Sequence, residues 1–339
     1  MRRLRWMLVG LFLLLAAGPS GTLAGPSVSD SVRLRELTTL RMVVIPGAQD
    51  FVINVMQKQG FDRRYNLVLD IRRVLQPQFA DQAVAERLVD VGFMGLVGAV
   101  KARAEGKGVV IFNVLTGPSN LVLAPQTSPV RTLADLRGKK VGTFSGPGSA
   151  TYAMLIAVAR SVHGIDLERE AQLISAPNPA LKGLMDRGEL AAALFGTIDS
   201  VKVFLEGRYR VVSDLAEDFQ KRFGRVAAHV VMATNEDYAR RRPEVLRAFV
   251  AAYHDTMRYI DRERRVWVEY ARELGFPSPE AAAVLLRQRV GSRFIRKWDE
   301  EQRRVQEQFI RILIEVLGPD RFVRDIPPGL MRLDLQPRP

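Results

Sequence analysis

Cysteine is absent from all 339 residues. That excludes disulfides, a thiol nucleophile, a thiolate zinc site and a lipid carried on a cysteine behind an export leader. Histidine is nearly absent: His163, His229 and His254 stand far apart and form no metal-ligand spacing. No metal and no cofactor are expected on that basis. Carboxylates are plentiful, but no pair is singled out, and no nucleophile motif supports an exported hydrolase. Lysine is scarce, nine against 41 arginines, a bias that codon composition explains as well as function does. Past the N-terminal region no apolar run reaches the ~20 residues that a membrane-crossing helix needs.

The N-terminus is built differently. Arg2, Arg3 and Arg5 precede an apolar run over 6–17, and small residues continue to Gly25. This is the layout of a secretory signal, basic, then apolar, then small. The run is too short to span ~30 Å of hydrocarbon. Cleavage is expected after Ala24, with Thr22 three positions from the cut; an uncleaved anchor is the alternative. The formal charge of +13 falls to +10 once the leader, with three arginines and no acid, is removed. Acids are interleaved with the bases, as in 258–265, so the charge reads as a solvated surface and not as a nucleic-acid face. An exported chain without disulfides or a lipidated cysteine fits a bacterial periplasm, and a soluble monomer is expected.

Downstream, short β-branched runs alternate with amphipathic stretches. Strands are predicted at 40–45, 67–74, 89–93, 109–115 and 120–124, with helices over 50–59, 79–88 and 95–104. Strand, helix, strand with short links implies a parallel sheet. A second set follows, with strands at 139–144, 172–175, 190–195 and 209–212 and helices over 149–162, 179–187 and 200–205. An extended run at 228–234 returns the chain to the first lobe. Pro243 then suits the first position of a helix with Leu246, Phe249, Val250, Tyr253, Met257 and Ile260 on one face. Asp299 reads as the N-cap of a last helix, stopped by Gly318 and Pro319. The expected organisation is α/β: signal 1–24, polar leader 25–39, first lobe 40–124, second lobe 125–227, and 228–339 returning to the first lobe.

Residues 132–152 draw attention as a site. A strand runs into a Ser-Gly-Pro-Gly-Ser turn, and a helix opens near Ser149. Glycines let the backbone approach a ligand closely, and the helix offers unpaired N–H groups with the positive end of its dipole. Alone, such a turn serves chain reversal equally well.

Five segments together carry a family resemblance. Residues 58–71, Lys-Gln-Gly-Phe-Asp-Arg-Arg-Tyr-Asn-Leu-Val-Leu-Asp-Ile, are similar to the Gly-Phe-Phe-x-Lys-x-Gly-Leu-x-Val segment of periplasmic substrate-binding proteins serving ABC importers of the nitrate/sulfonate/taurine type, including the SsuA-like and NMT1-like groups. Leu-Val-Asp-Val-Gly-Phe at 88–93 resembles that family's Gly-x-x-Asp-Val-Gly segment. Leu-Ala-Asp-Leu-Arg-Gly-Lys-Lys-Val-Gly at 133–142 resembles its Leu-x-Asp-Leu-Lys-Gly-Lys-Lys-Ile-Gly strand entry. Residues 188–195 resemble its second Gly-x-x-Asp-Ala-Ala segment, and 238–249 its Pro-Glu-Val-x-x-Ala-Phe helix. The likeness spans 40 to about 290. It implies a type II periplasmic-binding-protein fold, two lobes joined by crossovers near 121–126 and 225–233 and closing over a ligand. Three departures stand out: Asn66 for the usual glycine, Leu190 for the usual Asp, and the loop 75–79. Asparagine tolerates the left-handed backbone of that glycine.

In open α/β sheets ligands sit beyond the carboxyl ends of the strands. The expected ligand contacts are therefore Gly47, Ala48, Gln49, Asp50 and Phe51; Gln76 and Gln78; Phe93, Met94 and Gly95; Thr116, Ser119 and Asn120; Ser145, Gly146, Gly148, Ser149, Ala150, Thr151 and Tyr152; and Gly196, Thr197 and Asp199. Asp50 and Asp199 serve equally as helix caps, while Phe51, Phe93, Phe144 and Phe195 read as core first, with one or two lining the pocket as the alternative. No Arg or Lys lies inside these loops. A helix terminus contributes up to ~2 kcal/mol, whereas micromolar binding needs ~8. A small organic ligand with an apolar body and one or two polar ends is expected, not a bare inorganic anion.

The resemblance implies a non-enzymatic, exported solute-binding protein that hands its ligand to an ABC permease in the inner membrane. The alternative is a periplasmic sensing protein that signals to a membrane receptor without transport. A related family making the thiamine pyrimidine, and porphobilinogen deaminase, both depend on cysteine chemistry that this chain lacks.

Overall fold

The computed structural model describes residues 32–224 and 227–337. The expected leader and its cleavage site lie outside these residues, as does the start of the crossover expected at 225–233.

The first part of the chain alternates strands and helices: β1 (Thr38–Val44), α1 (Ala48–Lys58), α2 (Phe61–Arg64), β2 (Leu67–Arg73), α3 (Pro77–Ala85), β3 (Val91–Gly95), α4 (Leu96–Ala104) and β4 (Val109–Thr116). The entry to β2 is set by Asn66, whose φ of 57° is the left-handed backbone expected there. Its side-chain amide secures the bend by donating to Leu34 O at 2.6 Å. All eight residues of β4 are buried, as suits a strand covered on both faces.

The second set comprises β5 (Leu121–Pro125), β6 (Lys140–Thr143), α5 (Ala150–His163), α6 (Leu167–Glu170), β7 (Gln172–Ser175), α7 (Asn178–Asp186), β8 (Ala192–Leu194), α8 (Thr197–Leu205), β9 (Tyr209–Asp214) and α9 (Leu215–Phe223). The remainder is β10 (Val230–Asn235), α10 (Glu236–Arg241), α11 (Pro243–Arg262), α12 (Arg265–Glu273), α13 (Pro279–Arg289) and α14 (Glu300–Leu317). Pro243 opens α11, and Asp299 caps α14 by accepting from Gln302 N at 2.9 Å. Among the described residues no helix is long and apolar enough to cross a membrane.

The strands form two five-stranded sheets, ordered β2-β1-β3-β10-β4 and β7-β6-β8-β5-β9. In the first, β1 lies parallel to β2 and β3, and β10 runs antiparallel between β3 and β4. In the second, β6 lies parallel to β7 and β8, and β5 runs antiparallel between β8 and β9. Each sheet thus holds four parallel strands whose carboxyl ends share one rim, plus one reversed strand.

Two expectations need correction. Strand β5 was expected in the first lobe, with the crossover at 121–126. Both its edges are occupied by β8 and β9, so the switch between sheets falls earlier, at 117–120. Residues 228–339 were expected to return to the first lobe, yet α14 packs on α5 of the second. Phe309 meets Phe219 of α9 edge to face at 5.0 Å, and Arg160 of α5 donates to Val316 O at 2.6 Å, near the carbonyl end of α14. The chain then comes back: Ile111 N donates to Leu330 O at 2.6 Å and Arg332 N to Ile111 O at 2.8 Å, covering the outer edge of β4. Helices α9, α12 and α13 had no counterpart in the sequence reading.

Candidate functional site

The two rims meet where β3 ends and α5 begins. A Cβ placed on Gly95 would lie 3.7 Å from Ala150 Cβ. On the second-sheet side, Thr143 Oγ1 donates to Ser145 O at 2.7 Å and accepts from Ser145 N at 3.3 Å, which folds the turn back on β6. Gly148 takes φ 94°, open to glycine and strained for other residues, and no atom lies within 4 Å of a Cβ built there. Ser149 caps α5, its Oγ accepting from Tyr152 N at 3.1 Å. Gly146 lies near Ser175, and Ala150 and Thr151 are buried in the first turn. Ser145 Oγ is buried without a hydrogen-bond partner. Tyr152 departs from expectation. Its hydroxyl turns into the second lobe and donates to Glu168 Oε1 at 3.0 Å, and burial, ahead of that acid, raises its pKa to about 12.

On the first-sheet side, several expected contacts are already engaged. Gly47 precedes α1 with φ 126°, and Ala48 opens the helix. Gln49 Oε1 accepts from Ile45 N at 3.0 Å, holding the end of β1 to α1. Asp50 pairs with Arg73 Nε at 2.9 Å and accepts from Asn54 at 3.2 Å. Phe51 is core: it stacks on Tyr270 at 4.4 Å and lies 4.6 Å from Trp267, rings supplied by α12. Phe93 and Met94 are buried at 1% and 0% exposure, so all three apolar candidates of this rim are scaffold. Gln78, exposed in the first turn of α3, donates to the side chain of the N-cap residue Gln76, Oε1, at 2.6 Å.

The 117–120 crossover links both sheets. Thr116 Oγ1 donates to Gly117 O at 2.9 Å or Arg293 O at 3.1 Å, and Ser119 and Thr197 hydroxyls meet at 2.7 Å. Asn120 Nδ2 donates to Phe195 O at 3.1 Å, leaving Oδ1 buried and unpartnered. Gly196 N donates to Asn178 Oδ1 at 3.0 Å, and Asn178 Nδ2 to Asp199 Oδ2 at 2.7 Å. Asp199 is therefore fixed by a neighbouring side chain, with Gly196 in the N-cap position, and burial raises its pKa.

Three features of the junction escaped the sequence reading. Asp81 on α3 accepts from Gly95 N at 3.0 Å, and a Cβ on Gly98 would fall 2.1 Å from its Oδ2. The residue keeps some accessible surface, but its carboxyl group is enclosed against these two glycines. Burial raises its pKa to about 7, opposed by the Gly95 amide, and among the described residues it has no ion-pair partner. His229, just before β10, places Nδ1 3.2 Å from Thr116 O; burial lowers its pKa to about 4, so it is neutral. Arg289 and Arg293 reach the crossover from the C-terminal region and pair with Asp214 at 2.6 and 3.3 Å. Only the β3–α4 glycines hinted at Asp81; nothing local announced the arginines.

Comparison with known proteins supplies the context. The family model described as NMT1/THI5 like matches residues 51–262. No curated protein matches significantly. The chain superposes on the alkanesulfonate-binding protein SsuA from Xanthomonas axonopodis pv. citri bound to MOPS with a TM-score of 0.70 and 15% identity, covering 88% of this chain and 100% of that one. For the periplasmic aliphatic sulphonate binding protein SsuA from Escherichia coli the TM-score is 0.67 and the identity 20%, with 85% and 91% covered. The desulfurization enzyme DszB matches at 0.63 and 14%, with 88% and 97% covered. At these identities the superpositions establish the periplasmic-binding-protein fold and not the ligand.

Proposed function

The chain belongs to the NMT1/THI5-like family, and on that premise we propose that it is an exported, monomeric solute-binding protein that captures a small organic ligand between its two lobes and delivers it to an ABC importer permease. The observation that carries this reading is the pair of buried, unpartnered polar atoms at the lobe junction, Ser145 Oγ and Asn120 Oδ1. Buried polar atoms are nearly always hydrogen-bonded, and both lie at carboxyl ends of second-sheet strands, Ser145 just after β6 and Asn120 against Phe195 O just after β8. A ligand seated there supplies the missing partners. Contacts to both lobes favour the closed arrangement by differential affinity.

A binding role is preferred to an enzymatic one because the junction's side chains are tied to one another and to backbone. Ser119 pairs with Thr197, and His229 faces the Thr116 carbonyl instead of activating a hydroxyl. Export and periplasmic residence rest on the leader-like N-terminal sequence and on the family.

The test is thermal-shift screening with organic sulfonates, pyrimidines, aromatic acids and amines, beside nitrate and sulfate. Stabilisation by an organic member is expected, and Gly148→Val, which strains the φ 94° turn without a steric clash, is expected to lose it while keeping its fold. Stabilisation by inorganic anions alone overturns the organic-ligand reading. Undiminished binding by Gly148→Val removes the turn from the site.

A further inference from the structure

The groups left over at the lobe junction include the Asn120 amide oxygen, the Ser145 hydroxyl and Arg293 Nε, and beside them stands the Asp81 carboxylate without an ion-pair partner among the described residues. Asn120 spends its N–H on Phe195 O, so the atom without a partner is an oxygen. His229, neutral, has Nδ1 3.2 Å from Thr116 O and a further backbone hydrogen bond to Gly117. Asp81 has one oxygen on the Gly95 amide and the other beside Gly98, with no cation in reach among the described residues. Nearby guanidinium groups pair with acids, Arg289 and Arg293 with Asp214 and Arg73 with Asp50, although Arg293 Nε is itself buried without a partner. Ser145 Oγ accepts or donates.

An anion seated beside Asp81 would meet a carboxylate that has no cation against it among the described residues. Repulsion and desolvation would then add. A cationic nitrogen reverses both effects, restoring charge balance and an N–H partner to Asp81. Gly98 fits the same picture, since any side chain there would push the carboxylate aside.

Building on the solute-binding role above, we propose that the ligand is an organic cation bearing N–H donors (a protonated amine, amidine or guanidine) received by the Asp81 carboxylate where Gly95 approaches Ala150, since a Cβ on Gly95 would lie 3.7 Å from both Ala150 Cβ and Asp81 Oδ2. This is the opposite charge class to the sulfonates that the structural neighbours are named for.

The experiment sets benzamidine, phenethylamine and agmatine against benzenesulfonate and phenylacetate, by thermal shift and calorimetry on the mature protein. At least one cation is expected to stabilise it and neither anion. Asp81→Asn, which keeps the Gly95 amide contact, is expected to fold with an undiminished Tm and to bind the cation at least tenfold more weakly. Gly98→Ala, which displaces the carboxylate, is expected to weaken binding similarly. Stabilisation by the anions in place of the cations, or cation affinity unchanged in Asp81→Asn, overturns the ligand class while leaving solute capture standing. Stabilisation by none of the five also overturns it, and the broader organic panel then decides capture separately.

Discussion

Replacing Asp81 by asparagine gives a stability difference that depends on pH in a definite direction. The carboxyl titrates at 3.8 in an unperturbed chain and at about 7 here, with burial as the leading cause. Below 3.8 both folded and unfolded chains hold the proton, and nothing is lost. Between 3.8 and about 7 the unfolded chain releases it while the folded chain retains it, so each increment of pH favours unfolding. Above about 7 the full cost is present. At 1.36 kcal/mol per pH unit it amounts to roughly 4 kcal/mol. The asparagine variant has no proton to release and escapes the cost. Urea unfolding of both proteins from about pH 4 to pH 8 should therefore show the variant gaining on the parent as pH rises, by up to roughly 4 kcal/mol at the alkaline end. Other titrating groups cancel in the difference. Two stability curves that stay parallel across this range would refute the reasoning, because they would mean that the carboxyl ionises at its ordinary pH and is not enclosed.

Phe51→Ala removes a ring stacked between Tyr270 and Trp267; a loss of about 3–5 kcal/mol is expected, measured by denaturant unfolding, with ligand affinity in the surviving folded fraction unchanged. Arg293→Ala leaves Asp214, 6% exposed, with Arg289 alone. Breaking such a buried pair costs about 3–5 kcal/mol when no partner remains, so a smaller loss is expected, and Asp214→Asn in the same background should recover part of it in a double-mutant cycle.

What the sequence disclosed was what neighbouring residues decide among themselves. Asn66 could be assigned a left-handed backbone, Asp299 a cap, Pro243 a helix start and the neighbourhood of Ser149 a helix opening, because each depends on a few adjacent positions; that the Ser149 hydroxyl is spent on the cap was not foreseen. The alternation of strands and helices followed from periodicity, and the resemblance to binding proteins from motif order. Partners distant in sequence were another matter. That β5 pairs with β8 and β9, or that α14 leans on α5, is settled by edges and apolar faces contributed from far along the chain. The same holds at the site. Phe51 reads as core from the sequence, but the Trp267 and Tyr270 rings that enclose it come from far along the chain, and Tyr152 stood open until Glu168 drew its hydroxyl away. Asp81 could not stand out, since its isolation comes from the glycines packed over it, not from its sequence neighbours.

The seating of α14 on α5 also bears on how the chain folds. Arg160 and the carbonyl it caps are 156 positions apart, and Phe219 waits for Phe309. The second lobe cannot finish its core until nearly the whole polypeptide is present, so an N-terminal fragment ending at β9 should stay incompletely packed. Contacts of such long range slow folding. Under the exported role proposed above, this order keeps the unfinished lobe threadable until its last helix arrives.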